Sequence, residues 1–257
     1  MGRYSHEKEV PVIFRQFSLT AAAAIVLLAG CAQRGDVPVQ WGENATGVKT
    51  RIDTSEKVIA LTLDACGSAN DGYDAALIGY LDANKVPATL FINARWIDKN
   101  PGAFLKLASN PLFEIEDHGL DHKPASVNGR SAYGIAGTKD RRELEKEIGA
   151  AAKKIEKLTG RKPKFYRSGT AYYDEIAVRI ANGMGYQVAG FSVLGDRGAT
   201  YSWEEVRSAL LTAKPGDIII CHMNHPERET AEGVIAAIPE LRKMGFKFVR
   251  LDEFPLK

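Results

Sequence analysis

From residue 58 to the C-terminus, short apolar runs rich in β-branched and aromatic residues alternate with longer stretches whose apolar positions recur every three or four residues. The short runs, over 58–63, 88–93, 113–117, 164–167, 186–193, 217–222 and 246–251, read as seven strands. The clearest helix lies over 140–159. Leu144, Ile148, Ala151, Ile155 and Leu158 share one face there, Asp140 stands where a cap belongs and Gly160 ends the pattern. Ser202 and Glu205 have the spacing of a capping box for a helix reaching about residue 214. Further helices are expected over 73–84, 101–109, 174–184 and 230–244, the last kinked or restarted at Pro239. Strands alternating with helices imply a parallel sheet with right-handed crossovers, closed as a barrel or left open. The unbroken Ile218-Ile219-Ile220 suits a strand covered on both faces. No linker or repeat divides 58–257, so one domain of catalytic size is expected there.

The first 57 residues depart from this pattern. A polar start carrying Arg3, Lys8 and Arg15 leads into an apolar run over 19–28 that is too short to span a bilayer, so 1–30 reads as a targeting segment. The run closes on Leu28-Ala29-Gly30-Cys31, which resembles the bacterial lipobox, whose cysteine carries the lipid. An ordinary secretory signal would end similarly without the lipid. The lipobox reading makes 1–30 a lipoprotein signal peptide and 31–57 a tether and approach segment. It places the protein in the bacterial cell envelope, anchored through Cys31 on the extracytoplasmic side of a membrane. Trp41 is costly to leave loose, so part of the segment is expected to pack. With 45% hydrophobic residues the chain has ample material for a core, and a formal net charge of +2 gives no footprint for nucleic acid.

Chemistry gathers at the expected strand ends. After the leader only four histidines remain, in two clusters: His118 with His122, and His222 with His225. Two imidazoles four residues apart at the end of a strand can close on one metal ion. Asp64, Arg167 and His222 also end strands and Asp196 follows one, so in a barrel these residues would converge on a single mouth.

The motifs Ala60-Leu61-Thr62-Leu63-Asp64, His118-Gly119-Leu120-Asp121-His122, Phe165-Tyr166-Arg167, Asp196 and Ile219-Ile220-Cys221-His222 stand in that order across residues 57–255. In this order they resemble the polysaccharide deacetylases with a NodB-homology domain, carbohydrate esterase family 4. The resemblance implies an α/β fold, a distorted seven-stranded (β/α) barrel with parallel strands and helices outside. It also implies metal-dependent removal of N-acetyl groups from an amino-sugar polysaccharide such as peptidoglycan or poly-N-acetylglucosamine. Under it, His118 and His122 hold a divalent metal, zinc, Asp64 is the general base and His222 the acid that protonates the leaving amine. Arg167 holds Asp64, and Asp196 keeps His222 protonated.

Three departures from the family pattern matter. Ala65 stands where the first motif has a second Asp that ligates metal, the third motif lacks its prolines, and no Trp follows Asp196. Asp71 in the following loop, then water, then Cys66 are the candidates for the missing ligand. Cys66 and Cys221 are expected to face each other at the mouth as a disulfide or as buried free thiols, with ligation by Cys66 the third possibility. A competing reading is a degenerate barrel that only binds glycan at the cell surface. A glycosidase with paired carboxylates would leave the histidines without a role.

Overall fold

The structure is a computed structural model and describes residues 1–3 and 37–257. The expected signal peptide beyond residue 3, the start of the expected tether and Cys31 lie outside the described residues. Asp36–Lys257 forms one compact unit. Its elements follow the expected alternation: β1 (Val58–Ala65), α1 (Ala75–Ala83), β2 (Ala88–Ile92), α2 (Ala94–Lys99), α3 (Pro101–Ser109), β3 (Phe113–Asp117), α4 (Arg141–Thr159) and β4 (Phe165–Tyr166). The chain continues through α5 (Glu175–Gly183), β5 (Gln187–Val188), β6 (Val193–Leu194), α6 (Trp203–Leu211), β7 (Ile218–His222), α7 (Thr230–Lys243) and β8 (Lys247–Val249).

All strand pairs within the sheet are parallel, in the order β5-β4-β3-β2-β1-β7-β6, with β8 added beside the start of β1. The run over 186–193 was expected to be one strand, and it is two. β5 pairs with β4 and β6 with β7, at opposite ends of the sheet, so the described residues form eight strands rather than seven. The physical reason is the break at Gly190, against which Val48 and Thr50 pack and whose amide donates to the Lys49 carbonyl. The sheet therefore curls until residues 189–192 bridge its two edges covalently. That is the distortion of the barrel.

Every residue of β1 is buried, as two covered faces require. Ile59, Leu61, Leu63 and Ala65 pack outward with Leu77, Trp96, Ile219 and Cys221 against the helices. Val58 and Ala60 point inward with Phe91, Phe165 and Ile218. Helix caps agree with the sequence signals: Asp140 accepts from the Glu143 amide, and Ser202 and Glu205 close the capping box. α2 was not anticipated; Asn93 caps it directly at the end of β2, leaving no connecting loop to read. α7 runs through Pro239 without restarting, its face of Val234, Ala237, Ile238 and Leu241 being buried on both sides of the proline. One ladder hydrogen bond is given up and the packing outweighs it.

The approach segment belongs to the domain from residue 39 onward. The amides of Val39 and Gln40 donate to the Glu175 carboxylate at 2.8 and 2.9 Å, and Gly42, Lys49, Arg51 and Ile52 form bridges to Tyr173, Ala189, Asp217 and Leu256. Among the described residues no helix is long and apolar enough to cross a membrane.

α6 and α7 cross at Gly233, where a Cβ would run into the Val206 side chain and stand 2.7 Å from the Trp203 carbonyl oxygen. Gly233→Ala gains roughly 1 kcal/mol of helix propensity. It is nevertheless expected to be destabilising, since overpacking of a tight contact costs about 1–3 kcal/mol. Thermal unfolding should show a midpoint a few degrees lower with the site chemistry unchanged, at about 2–4 °C per kcal/mol for a domain of this size.

Candidate active site

Alternation along β1 sends Thr62 and Asp64 into the barrel, and Arg167, just past β4, reaches them from across the interior. The Arg167 guanidinium is fully buried, and every nitrogen on it is used. It donates to Asp64 Oδ1 at 2.7 Å, Thr62 Oγ1 at 2.9 Å, and the Ala189 and Gly190 carbonyls at 3.1 and 2.9 Å. It also lies 4.1 Å from the centre of the Phe91 ring. One oxygen of Asp64 is thus held while Oδ2 faces the mouth, 3.7 Å from His118 Nε2.

His118 ends the inward line Glu114, Glu116, His118 of β3, and its Nδ1 lies 3.0 Å from the Arg167 carbonyl. Nδ1 therefore donates, and Nε2 presents its lone pair to the cavity. His122 follows in a loop, with a left-handed φ of 60° and with Gly169 so close that any side chain there would strike its backbone and ring. The two imidazoles meet edge to face with centroids 5.0 Å apart. Burial lowers both pKa values, that of His122 strongly; for His118 the nearby Asp64 and the Arg167 carbonyl oppose the shift, and for His122 the neighbouring His118, Arg95 and His222 add to it. Both rings are neutral, as metal ligands must be. His122 Nε2 is buried without a hydrogen-bond partner. A divalent metal fits these residues: His118 and His122 each bring a ring nitrogen, and Cys66 its Sγ, all within 4.8 Å of one another.

Asp71 does not join them. Its carboxylate accepts from the Ser68 amide at 2.6 Å and from the Ser68 hydroxyl, and it faces His225 at 3.7 Å, so the loop turns it back on itself. Asp71, expected as the replacement for the lost ligand, is held in this local turn, which satisfies a carboxylate without a metal. Cys66 and Cys221 are free thiols and do not face each other. Cys221 pairs in register with Leu63 and packs on the outer face of the sheet, whereas Cys66 is on the cavity side. Opposite faces of one sheet cannot be bridged.

His222 ends β7 in register with Asp64 on β1. Its Nδ1 donates to Asp196 Oδ1 at 2.9 Å, its amide donates to Oδ2 at 2.7 Å, and Thr230 adds a hydroxyl to Oδ2 at 3.0 Å. Burial opposes charge on His222, but the Asp196 charge and hydrogen bond, with Asp64 beyond, hold its pKa up to about 9. Asp196 responds in the opposite direction: burial raises its pKa, and His222 with the surrounding donors brings it below the usual range. The imidazole remains 16% exposed, open to the mouth.

Asp64, His122 and His222 open into a cavity of about 660 Å³ whose walls include Tyr133, Phe191 and Arg197. Several contributors were not legible in the sequence. Thr62 and Thr230 orient Arg167 and Asp196, and the buried Glu147 of α4 accepts the amides of Asp121 at 2.9 Å and Lys123 at 3.2 Å on either side of His122. Glu147 falls on the buried face of the α4 pattern, and that was its only signal.

The polysaccharide deacetylase family model matches residues 51–189, more than half of the chain. The chain belongs to the polysaccharide deacetylase family. It is 23% identical over 261 residues to the peptidoglycan-N-acetylmuramic acid deacetylase PdaA of Bacillus subtilis, covering 90% of this chain and 92% of that protein. It is 27% identical over 216 residues to a peptidoglycan-N-acetylglucosamine deacetylase of Bacillus cereus, covering 81% and 93%. The crystal structure of the Bacillus subtilis enzyme, a family 4 carbohydrate esterase, superposes with a TM-score of 0.68 at 21% identity over 81% of this chain and 84% of that one. A family 4 pseudoenzyme from Bacillus anthracis superposes with a TM-score of 0.67 at 19% identity over 80% and 67%. The fold is shared with both structures.

The His222–Asp196 pair predicts the alkaline limb of the pH profile. A histidine raised to about 9 is protonated through neutral pH and loses its proton as pH rises through that value. Its contribution to stability is likewise complete below about 6.5 and is lost through about 9. Deacetylation should therefore fall with an apparent pKa near 9 in kcat/KM. In Asp196→Asn the opposing burial remains without its counter-charge, so the limb should move to or below about 6.5. An unmoved limb would show that another group supplies the acid.

Proposed function

We propose that this protein hydrolyses the N-acetyl groups of the amino sugars of peptidoglycan, with zinc held by His118 and His122. The supporting observation is the placement of two separately stabilised proton-transfer groups on adjacent strands, Asp64 beside Arg167 and His222 on Asp196, next to two neutral imidazoles. A divalent cation bound there supplies a Lewis acid for the acetyl oxygen. Asp64, with Oδ2 free, accepts a proton from the attacking water. His222 delivers its proton to the departing amine, which is a poor leaving group while unprotonated. The products are free amine and acetate. Arg167 holds Asp64 in place in a buried setting, and Asp196 holds His222 in place and charged. Peptidoglycan is favoured as the polymer because the two curated relatives described above, matched over most of their length, act on it by name.

The fold occurs in a Bacillus anthracis protein described as a pseudoenzyme, and Ala65 here replaces a family ligand, so glycan binding without catalysis is the competing reading. Acetate release decides between them. The metal-loaded protein should release acetate from acetylated peptidoglycan. Asp64→Asn and His222→Ala should each lose about 10²–10⁴-fold in rate while keeping metal and glycan affinity. No acetate above background from wild type, with glycan bound, would establish the binding reading.

The leader supports a lipoprotein of the bacterial cell envelope, attached through Cys31. Cys31→Ser should abolish incorporation of labelled fatty acid and alter precursor processing. Equal labelling of the variant would exclude the anchor.

A further inference from the structure

We propose that Cys66 is the third protein ligand of the metal site, giving a His–His–Cys centre that takes thiophilic ions such as Zn²⁺ in preference to Mn²⁺ or Mg²⁺. The proposal deepens the metal site of the preceding section and rests on it. The path of β1 sets up the substitution. Ala65, where the family has a carboxylate ligand, is fully buried among Leu61, Leu63 and Leu77 on the helix side of the sheet, so it offers neither a donor atom nor the right direction. The next residue, Cys66, is on the cavity side with Asp64. Its Sγ lies 3.9 Å from His118 Nε2. Tetrahedral zinc at ordinary bond lengths spaces such donors roughly 3.3–3.6 Å apart. The Cys66–His118 pair is therefore within a few tenths of an ångström of that spacing, and the three donors, all within 4.8 Å of one another, draw together on binding.

Independent features point to a cation between these groups. His118 spends Nδ1 on the Arg167 carbonyl, leaving Nε2 for a ligand, and His122 Nε2 is buried with no partner. An unpartnered buried nitrogen costs about 1–3 kcal/mol, which a coordinated cation relieves. The competing uses of Cys66 are closed: Cys221 lies on the other face of the sheet, and Asp71 is occupied by Ser68. On binding, the thiol gives its proton to solvent as the metal–sulfur bond forms, one proton per ion. A thiolate ligand in place of a carboxylate shifts preference from hard to soft ions.

The test uses the full-length protein, Co²⁺ as an optical probe and Zn²⁺ as its competitor, with no substrate present. Wild type and Cys221→Ala should bind one cobalt with an intense near-ultraviolet thiolate-to-cobalt charge-transfer band, displaced by zinc. Cys66→Ser should lose the band. Its zinc dissociation constant should rise by at least the roughly ten- to hundredfold that loss of an outer-shell partner already costs. A second readout needs no variant. Peptide mapping after iodoacetamide treatment should find Cys66 alkylated in metal-free protein and protected by zinc. Stoichiometric cobalt without the band, a band that survives in Cys66→Ser, or alkylation indifferent to zinc would overturn the ligand assignment and leave the deacetylase reading standing. Failure of wild type to bind cobalt or zinc at all would overturn both.

Discussion

The buried Arg167–Asp64 pair is the interaction on which the rest of this architecture depends. A guanidinium with no exposed surface is costly to bury and persists only where every donor is used and a counter-charge is in contact. Here one arm reaches β1 through Thr62 and Asp64, and the others reach the Ala189 and Gly190 carbonyls in the segment that bridges the two edges of the sheet. The same side chain thus closes the gap that backbone pairing leaves open and holds one oxygen of the carboxylate at the mouth. Its own carbonyl accepts from His118 Nδ1, which orients the metal-facing imidazole. Structural closure and catalytic placement are one network. Breaking such a pair from one side typically costs about 3–5 kcal/mol, since it strands a buried charge.

Around that network the same residue type has two opposite states. His118 is buried with a carbonyl on its second nitrogen, the Nε2 of His122 is buried without a partner, and desolvation keeps both rings neutral and available as donors to a cation. His222 is mostly buried, with its ring open to the mouth, but its second nitrogen rests on Asp196, which also accepts from the His222 amide and Thr230, and the charge is retained. What separates His118 from His222 is the partner of Nδ1, a neutral carbonyl or a carboxylate. Environments that push like groups apart are how one cavity offers both a metal seat and a proton donor.

Much of this was readable in the amino-acid sequence, because period and punctuation are local. The alternation of strands and helices, the caps at Asp140 and Ser202, and the convergence of Asp64, His118, Arg167 and His222 at strand ends all follow from residues near one another in the chain. Parallel strands carry their C-terminal residues to one rim whatever the details of closure. Tertiary structure decided what depends on distant neighbours. The run over 186–193 became two strands because Gly190 packs against the approach segment some 140 residues earlier, and Pro239 sits within a helix because both its flanks are buried. Asp71 was a plausible ligand by position, but a turn of its own loop satisfies it, while Cys66 converges on the histidines because β1 ends with Ala65 turned into the outer core. Local pattern specifies which face a side chain takes within an element. Which atoms meet across the barrel is specified only when sheet curvature and packing bring β1, β3 and β4 together, as they do for Cys66, His118 and His122.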